Sequence, residues 1–185
     1  MKLLNSGAWW NGTSGSYYNN STTATNVNFT NYKLSDKAKS YITTSRYYLG
    51  GYKNQTPLTN EMYGYERGIK RYNTDRPLYW EGMVGLMYPS DYGYAAGNEC
   101  VTGTDLKKYN KGCQAKDWIY NSSEYQWTIT PMLSGINYAY RIGVTGLVVE
   151  EIIYIDMSLS PVFYLTSTTS ITSGSGTQDD PYLVS

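Results

Sequence analysis

Apolar residues follow a spacing of three and four in one stretch of this chain. They are Ala38, Tyr41, Ile42, Tyr48 and Leu49, opened by Ser35 as an N-cap and closed by Gly50-Gly51. That spacing predicts a helix over 33–50. Farther on the period changes to two. Tyr125, Trp127 and Ile129 alternate with Gln126, Thr128 and Thr130, and Ile136, Tyr138, Tyr140 and Ile142 alternate with Asn137, Ala139 and Arg141. Two strands follow, each with one apolar face, with Trp127 in the core. Pro131 to Gly135 connects them, and Gly143 to Gly146 turns the chain into a third apolar run, Leu147 to Ile155. Val162 to Leu165 reads as a more fully buried strand, 173–180 as turn, and Pro181 to Val184 as a last short strand. Ahead of these, 1–32 is an irregular lead-in with a short helix near Trp9-Trp10. Residues 52–76 read as loops, and Leu78 to Met87 is apolar again before the turn Pro89-Ser90-Asp91. The expected architecture is α+β, a single domain over 1–185 with an N-terminal helical part packed on a twisted antiparallel sheet, 78–185 being mainly antiparallel sheet and loops.

Composition changes this picture in one respect. The chain has 22 tyrosines and no histidine, and 41% of it is apolar. A phenol needs a partner or water when buried, so many rings should sit half-exposed. Fifteen basic residues balance fifteen acidic ones, which leaves no overall field to attract nucleic acid or an anionic membrane. The basic clusters Arg67/Lys70/Arg71/Arg76 and Lys107/Lys108/Lys111/Lys116 are interrupted by Glu66, Asp75, Asp105 and Asp117 and read as solvated surface. No stretch is long and apolar enough to predict a membrane span, because Glu150 and Glu151 cut the longest one. No signal-peptide core follows Met1 either. Abundant Asn, Ser and Thr with few charges suggest an exported protein, at the cell surface or outside it, delivered by a segment not present in this chain.

Cys100 and Cys113 flank a polar, loop-like segment. Two thiols without histidine cannot complete a common zinc site, so no metal is expected and a disulfide is the preferred assignment. Two reduced thiols in a cytosolic loop are the alternative. The lack of histidine also removes Ser-His-Asp and Cys-His nucleophile systems. No Gly-rich phosphate loop or dinucleotide fingerprint occurs, and no cofactor is called for. A glycosidase needs two carboxylates at a set separation, and Asp91, Asp117, Glu124, Glu150 and Glu151 are available. Adjacent Glu150 and Glu151 would point to opposite faces of a strand, and they read as a charged edge that discourages strand-to-strand association. Asp179-Asp180 with Thr177 and Gln178 reads as a hydrogen-bonded turn rather than a calcium loop. No catalytic residue is assigned.

Blocks spread along the chain carry a resemblance. Asn5-Ser6-Gly7-Ala8-Trp9-Trp10-Asn11, Leu49-Gly50-Gly51-Tyr52, Tyr63-Gly64-Tyr65-Glu66-Arg67-Gly68 and Gly85 to Tyr94 are its first half. The spaced pair Cys100 and Cys113, Asp117-Trp118-Ile119-Tyr120, Gln126 to Pro131, Pro161 to Leu165 and Gly174 to Thr177 with Pro181-Tyr182 complete it. This series resembles a family of uncharacterised secreted proteins of gut Firmicutes. Members often carry a prepilin-like or membrane-anchoring segment upstream, which implies an exported C-terminal portion. The Trp-Thr-Ile-Thr-Pro block with Pro-Val-Phe-Tyr-Leu is more faintly similar to C-type-lectin-like modules. Relatives carry Gly-Val-Arg-Pro where this chain has Ser158-Leu159-Ser160-Pro161, so any role of that arginine is absent.

Binding is the expected function. Sugars lie on aromatic faces beside Asn and Asp groups that bridge their hydroxyls. Two segments combine these groups, Tyr88, Asp91, Tyr92 and Tyr94 in one and Trp118, Tyr120 and Asn121 in the other. A glycan is the first expected partner, and a host or neighbouring surface protein the second, since Tyr, Ser, Gly and Asn also make protein-binding surfaces. A pilus or surface-assembly subunit is the structural alternative.

Overall fold

The computed structural model describes residues 34–49, 51–71, 78–97, 100, 104–134, 137–153, 155, 157–177 and 179–185. The lead-in over 1–32, with Trp9-Trp10 and its short helix, lies outside them.

The class is α+β, and the N-terminal helix is much shorter than its apolar spacing suggests. Helix α1 (Asp36–Ser40) begins where predicted, with the Ser35 hydroxyl accepting the Ala38 N–H at 3.1 Å. It stops before Ile42-Thr43-Thr44, whose β-branched side chains favour extended backbone. The chain continues as β1 (Ile42–Thr43) and β2 (Ser45–Tyr48), so the described part of the expected helix, 34–49, holds a single helical turn followed by two strands. β2 pairs antiparallel with β3 (Tyr79–Gly82), and β4 (Gly85–Leu86) follows.

Helices form where loops or turns were expected. Helix α2 (Thr59–Glu66) buries Thr59, Met62, Gly64 and Glu66. That face repeats at helical spacing but is mostly not apolar, so a search for hydrophobic periodicity passes over it. Helix α3 (Pro89–Ala95) starts at the predicted turn, because Pro89 takes the first helical position and Asp91 Oδ2 accepts the Tyr88 N–H at 2.9 Å. A 3-10 turn (Leu106–Lys108) and the short α4 (Lys111–Gln114) follow, and Cys100 is bonded to Cys113.

The C-terminal third is a four-stranded sheet in the order β7-β6-β5-β8. β5 (Gln126–Pro131), β6 (Tyr138–Ile142) and β7 (Val148–Ile152) are antiparallel, while β8 (Ser158–Leu159) runs parallel to β5. The buried face of β5 differs from expectation. Gln126, Thr128 and Thr130 are buried with Ile129, Tyr125 is exposed, and Trp127 is half-buried with its indole N–H donated to the Ile155 carbonyl. β5 is covered on both sides. A larger core of Tyr52, Met62, Met87, Tyr92, Leu106, Tyr140, Ile142 and Val148 forms one cluster, and Tyr47, Leu86, Tyr88 and Ile129 form another, against which Trp127 packs. The stretch expected to be a fully buried strand instead splits into β9 (Pro161–Val162) and β10 (Tyr164–Leu165), with Phe163, Tyr164 and Leu165 exposed. A last ribbon pairs β11 (Ile171–Ser173) with β12 (Leu183–Val184). The turn between them is hydrogen-bonded, with Asp180 accepting from the Ser175 N–H and Thr177 accepting from the Asp180 N–H.

Five of the largest fully buried side chains are tyrosines, and each spends its hydroxyl on distant backbone or a carboxylate. Tyr47 donates to Met83 and Val162 carbonyls, Tyr88 to Tyr48, Tyr92 to Gly146 and Tyr140 to Asn54, while Tyr52 donates to Glu61. The ring fills the core and the hydroxyl ties loop to element, so the phenol is satisfied without water.

Two consequences are measurable. A β-carbon on Gly93 would lie 2.5 Å from Thr59 Oγ1 and 3.1 Å from Leu106 Cδ2, both on buried residues. Gly93→Ala is therefore expected to destabilise the protein in urea unfolding, because overpacking costs about 1–3 kcal/mol against a helix-propensity gain of about 1 kcal/mol. An unchanged or raised midpoint would mean that α2 and α3 are not in contact there. Replacing both cysteines by serine should cost about 3 kcal/mol in the same measurement, the chain-entropy value for a loop of this size.

Candidate functional site

The site begins with a buried acid. Glu66, at the end of α2, is 3% exposed, and its carboxyl accepts the Ser90 N–H at 3.2 Å from α3 and the Thr130 hydroxyl at 3.1 Å from β5. Burial pushes its pKa up to about 7, the Ser90 and Thr130 bonds opposing and nearby Asp91 adding to the rise. Next in the chain, Arg67 donates to Asp91 Oδ1 at 2.5 Å. Its guanidinium lies 4.6 Å from the Tyr88 ring centroid and 4.9 Å from that of Tyr63. Arg67 and Glu66 are thus not the solvated surface charges that the sequence suggested.

This arrangement fixes the rim of a groove. Tyr63 is held by Arg67 and meets Tyr94 of α3 edge to face, with centroids 5.5 Å apart. Across from the pair, Trp118 stands on the turn after α4 and is 61% exposed. Asp117 sets that turn, accepting the Tyr109 hydroxyl at 3.2 Å and the Ile119 N–H at 3.1 Å. Burial raises the Asp117 carboxyl to about 7, its hydrogen bonds opposing the rise. The groove encloses about 730 Å³ between Tyr63, Tyr94, Ala95, Trp118 and Ile119, with Met87, Pro161 and Val162 as apolar lining and Asp91 and Ser160 as polar groups. That volume lies in the ordinary range for small-molecule sites.

Of the seven residues singled out from the sequence, Asp91, Tyr94 and Trp118 meet at this groove. The other four have different surroundings. Tyr92 is fully buried, its ring packed on Tyr109 and its hydroxyl held by Gly146, so it cannot be a contact ring. Tyr88 is 2% exposed, with its hydroxyl between the Tyr48 N–H and C=O. Tyr120 is half-buried and donates to the Val144 carbonyl at 2.7 Å. Asn121 accepts the Ser123 N–H in a local turn. Sequence reasoning missed Tyr63, Glu66 and Arg67. The available signal was the spacing of Thr59, Met62 and Glu66 by three and four, a helical face on which only Met62 is apolar.

β7 is an edge strand whose Glu150 and Glu151 are bonded to Lys107 Nζ at 2.9 Å and Arg141 Nη2 at 3.2 Å. Among the described residues no group of three or more Cys, Asp or Glu could hold a metal ion. No helix among them is long and apolar enough to cross a membrane. No family model, curated protein or solved structure matches this chain.

Glu66 and Asp117 both favour the protonated form in the folded state. Their contribution to stability is fully present below about pH 4 and is lost as pH rises through about 7. Thermal midpoints should fall across that window, and Glu66→Gln should flatten the fall. Midpoints that rise with pH, or an identical slope in the variant, would contradict the assignment.

Proposed function

We propose that this protein is a non-catalytic extracellular recognition module that binds carbohydrate in the groove between Tyr63, Tyr94 and Trp118. The observation that carries this reading is the convergence of exposed aromatic rings from three separate segments on one groove that also contains a carboxylate. A sugar ring has a face of weakly positive C–H groups that suits the electron-rich face of Trp or Tyr. Asp91 has accepting lone pairs beyond those used by Arg67 and the Tyr88 N–H, and it can take sugar hydroxyls. Because Arg67 and the Tyr63–Tyr94 pair hold the rim in place, little ordering entropy would be lost on binding. The disulfide fits an oxidising compartment.

A glycan array with the oxidised protein tests this. Selective binding is expected, lost by about tenfold or more in Trp118→Ala and Tyr94→Ala. Tyr92→Phe should keep the affinity while losing about 1 kcal/mol of stability, the value of one hydrogen bond. A blank array from folded protein would overturn the carbohydrate reading and favour a surface-protein partner at the same rings.

One observation favours a second reading, an assembly subunit. The β11–β12 ribbon exposes Ile171, Tyr182 and Leu183 to between 53% and 60%, and a lone two-stranded ribbon is marginal in water. Light scattering that shows a concentration-dependent mass, abolished by Leu183→Lys, would support it. A monomer at all concentrations would exclude it.

A further inference from the structure

A second cavity, sharing no lining residue with the groove, is lined by Arg46, Lys70 and Arg71 together with Tyr48, Tyr65 and Tyr79. Its volume is about 60 Å³, against about 730 Å³ for the groove. It is small beside the groove and suits a compact polar group. Among the described residues no carboxylate lines it. Arg46 gives Nε and Nη2 to Glu81 Oε1 outside the cavity, hydrogen-bonds the Tyr48 side chain and lies 4.0 Å over the Tyr79 ring, so it is held at the cavity wall. Lys70 and Arg71 have no ion pair among the described residues, and Lys70 Nζ is 5.8 Å from the Tyr65 ring centroid.

The backbone presenting these cations is fixed. Gly68 has φ +70°, where L side chains are strained, and a β-carbon there would lie 2.3 Å from the Tyr48 ring. The turn therefore packs directly on a cavity wall. The Lys70 N–H then bonds back to the Gly64 carbonyl at 2.8 Å, which ties the basic residues to the end of α2. Lys70 and Arg71 bring two like charges without an ion pair to the opening, beside an Arg46 that Glu81 already pairs, and a bound anion relieves their repulsion.

We propose that this cavity binds a single oxyanion, the carboxylate or sulfate of an acidic saccharide. The basic cluster following α2 is thus an anion site because Lys70 and Arg71 line this cavity, which Lys108 and Lys111 do not. The saccharide as carrier rests on the carbohydrate reading above, while the oxyanion chemistry does not. Exposed Tyr79 beside the opening offers a ring to the sugar that carries the group.

The test is a titration of the folded protein, followed through the tyrosine ring signals by NMR. The probes are hyaluronan oligosaccharide, which carries carboxylate alone, chondroitin sulfate oligosaccharide, inorganic sulfate and neutral chito-oligosaccharide. An acidic oligosaccharide should shift Tyr48, Tyr65 and Tyr79; a shift with hyaluronan identifies carboxylate as sufficient, and a shift with chondroitin sulfate but not hyaluronan identifies sulfate. Affinity should fall with salt and by about tenfold or more in Lys70→Gln/Arg71→Gln, since charge-assisted hydrogen bonds are the strong ones. It should be unchanged in Lys108→Gln/Lys111→Gln and in Trp118→Ala. The proposal is overturned if the Lys70/Arg71 variant binds as tightly as the parent, or if neutral chito-oligosaccharide shifts the same three rings equally. It is also overturned if no acidic oligosaccharide binds, even where inorganic sulfate does. Loss of acidic binding in Trp118→Ala would overturn it too, by merging the two sites. A blank glycan array with an inert groove, alongside intact acidic binding here, would sink only the groove reading.

Discussion

Much of this molecule depends on a carboxyl group held away from water. Glu66 reaches from α2 to the first turn of α3 and to β5, so a single side chain sets the relation of two helices and the sheet. Burying a carboxylate is costly, and the group responds by favouring its neutral form. The Thr130 hydroxyl can donate to the ionised carboxyl and accept from the protonated one, so the junction survives either state. Apolar substitution would leave the Ser90 N–H and the Thr130 hydroxyl buried without partners, each a penalty of about 1–3 kcal/mol.

The aromatic groove is a consequence of that junction. With α2 and α3 fixed, Arg67 meets Asp91 and settles between Tyr88 and Tyr63, and Tyr63 in turn meets Tyr94. Trp118 is placed independently, by the Asp117 turn and by the disulfide that ties α4 to Cys100. Tyrosine thereby has two populations. Buried rings use their hydroxyls as cross-ties, as Tyr92 does to Gly146 and Tyr140 to Asn54, while Tyr63, Tyr79 and Tyr94 keep theirs for the surface. One residue type supplies core volume, tertiary hydrogen bonds and contact area, which accounts for its abundance in a chain with only two phenylalanines.

How much of this was legible in the sequence follows from which signals are local. Alternation located β5 and β6 and the apolar run located β7, since each is carried by adjacent residues, while the disulfide followed from two thiols without histidine to complete a metal site. The helix over 33–50 failed because Tyr41, Ile42 and Tyr48 satisfy helical spacing while the Thr-Thr-Ser run between them prefers extended backbone. α2 and α3 were missed because their inward faces are made of Thr59, Glu66, Ser90 and Gly93, which no hydrophobic pattern marks. The two candidate segments do share a groove, yet their individual residues could not be sorted. Tyr92 and Tyr94 are two positions apart on one helix, and only the packing of Tyr109 and Gly146 decides which ring is inside.

The titration of the Glu66 carboxyl carbon, followed by NMR in selectively labelled protein, tests the central claim most directly. The account predicts a midpoint near 7, raised by burial between α2, α3 and β5. A midpoint in the ordinary glutamate range, about 4.3, would mean that the group is solvated. The junction on which the groove depends would then not exist.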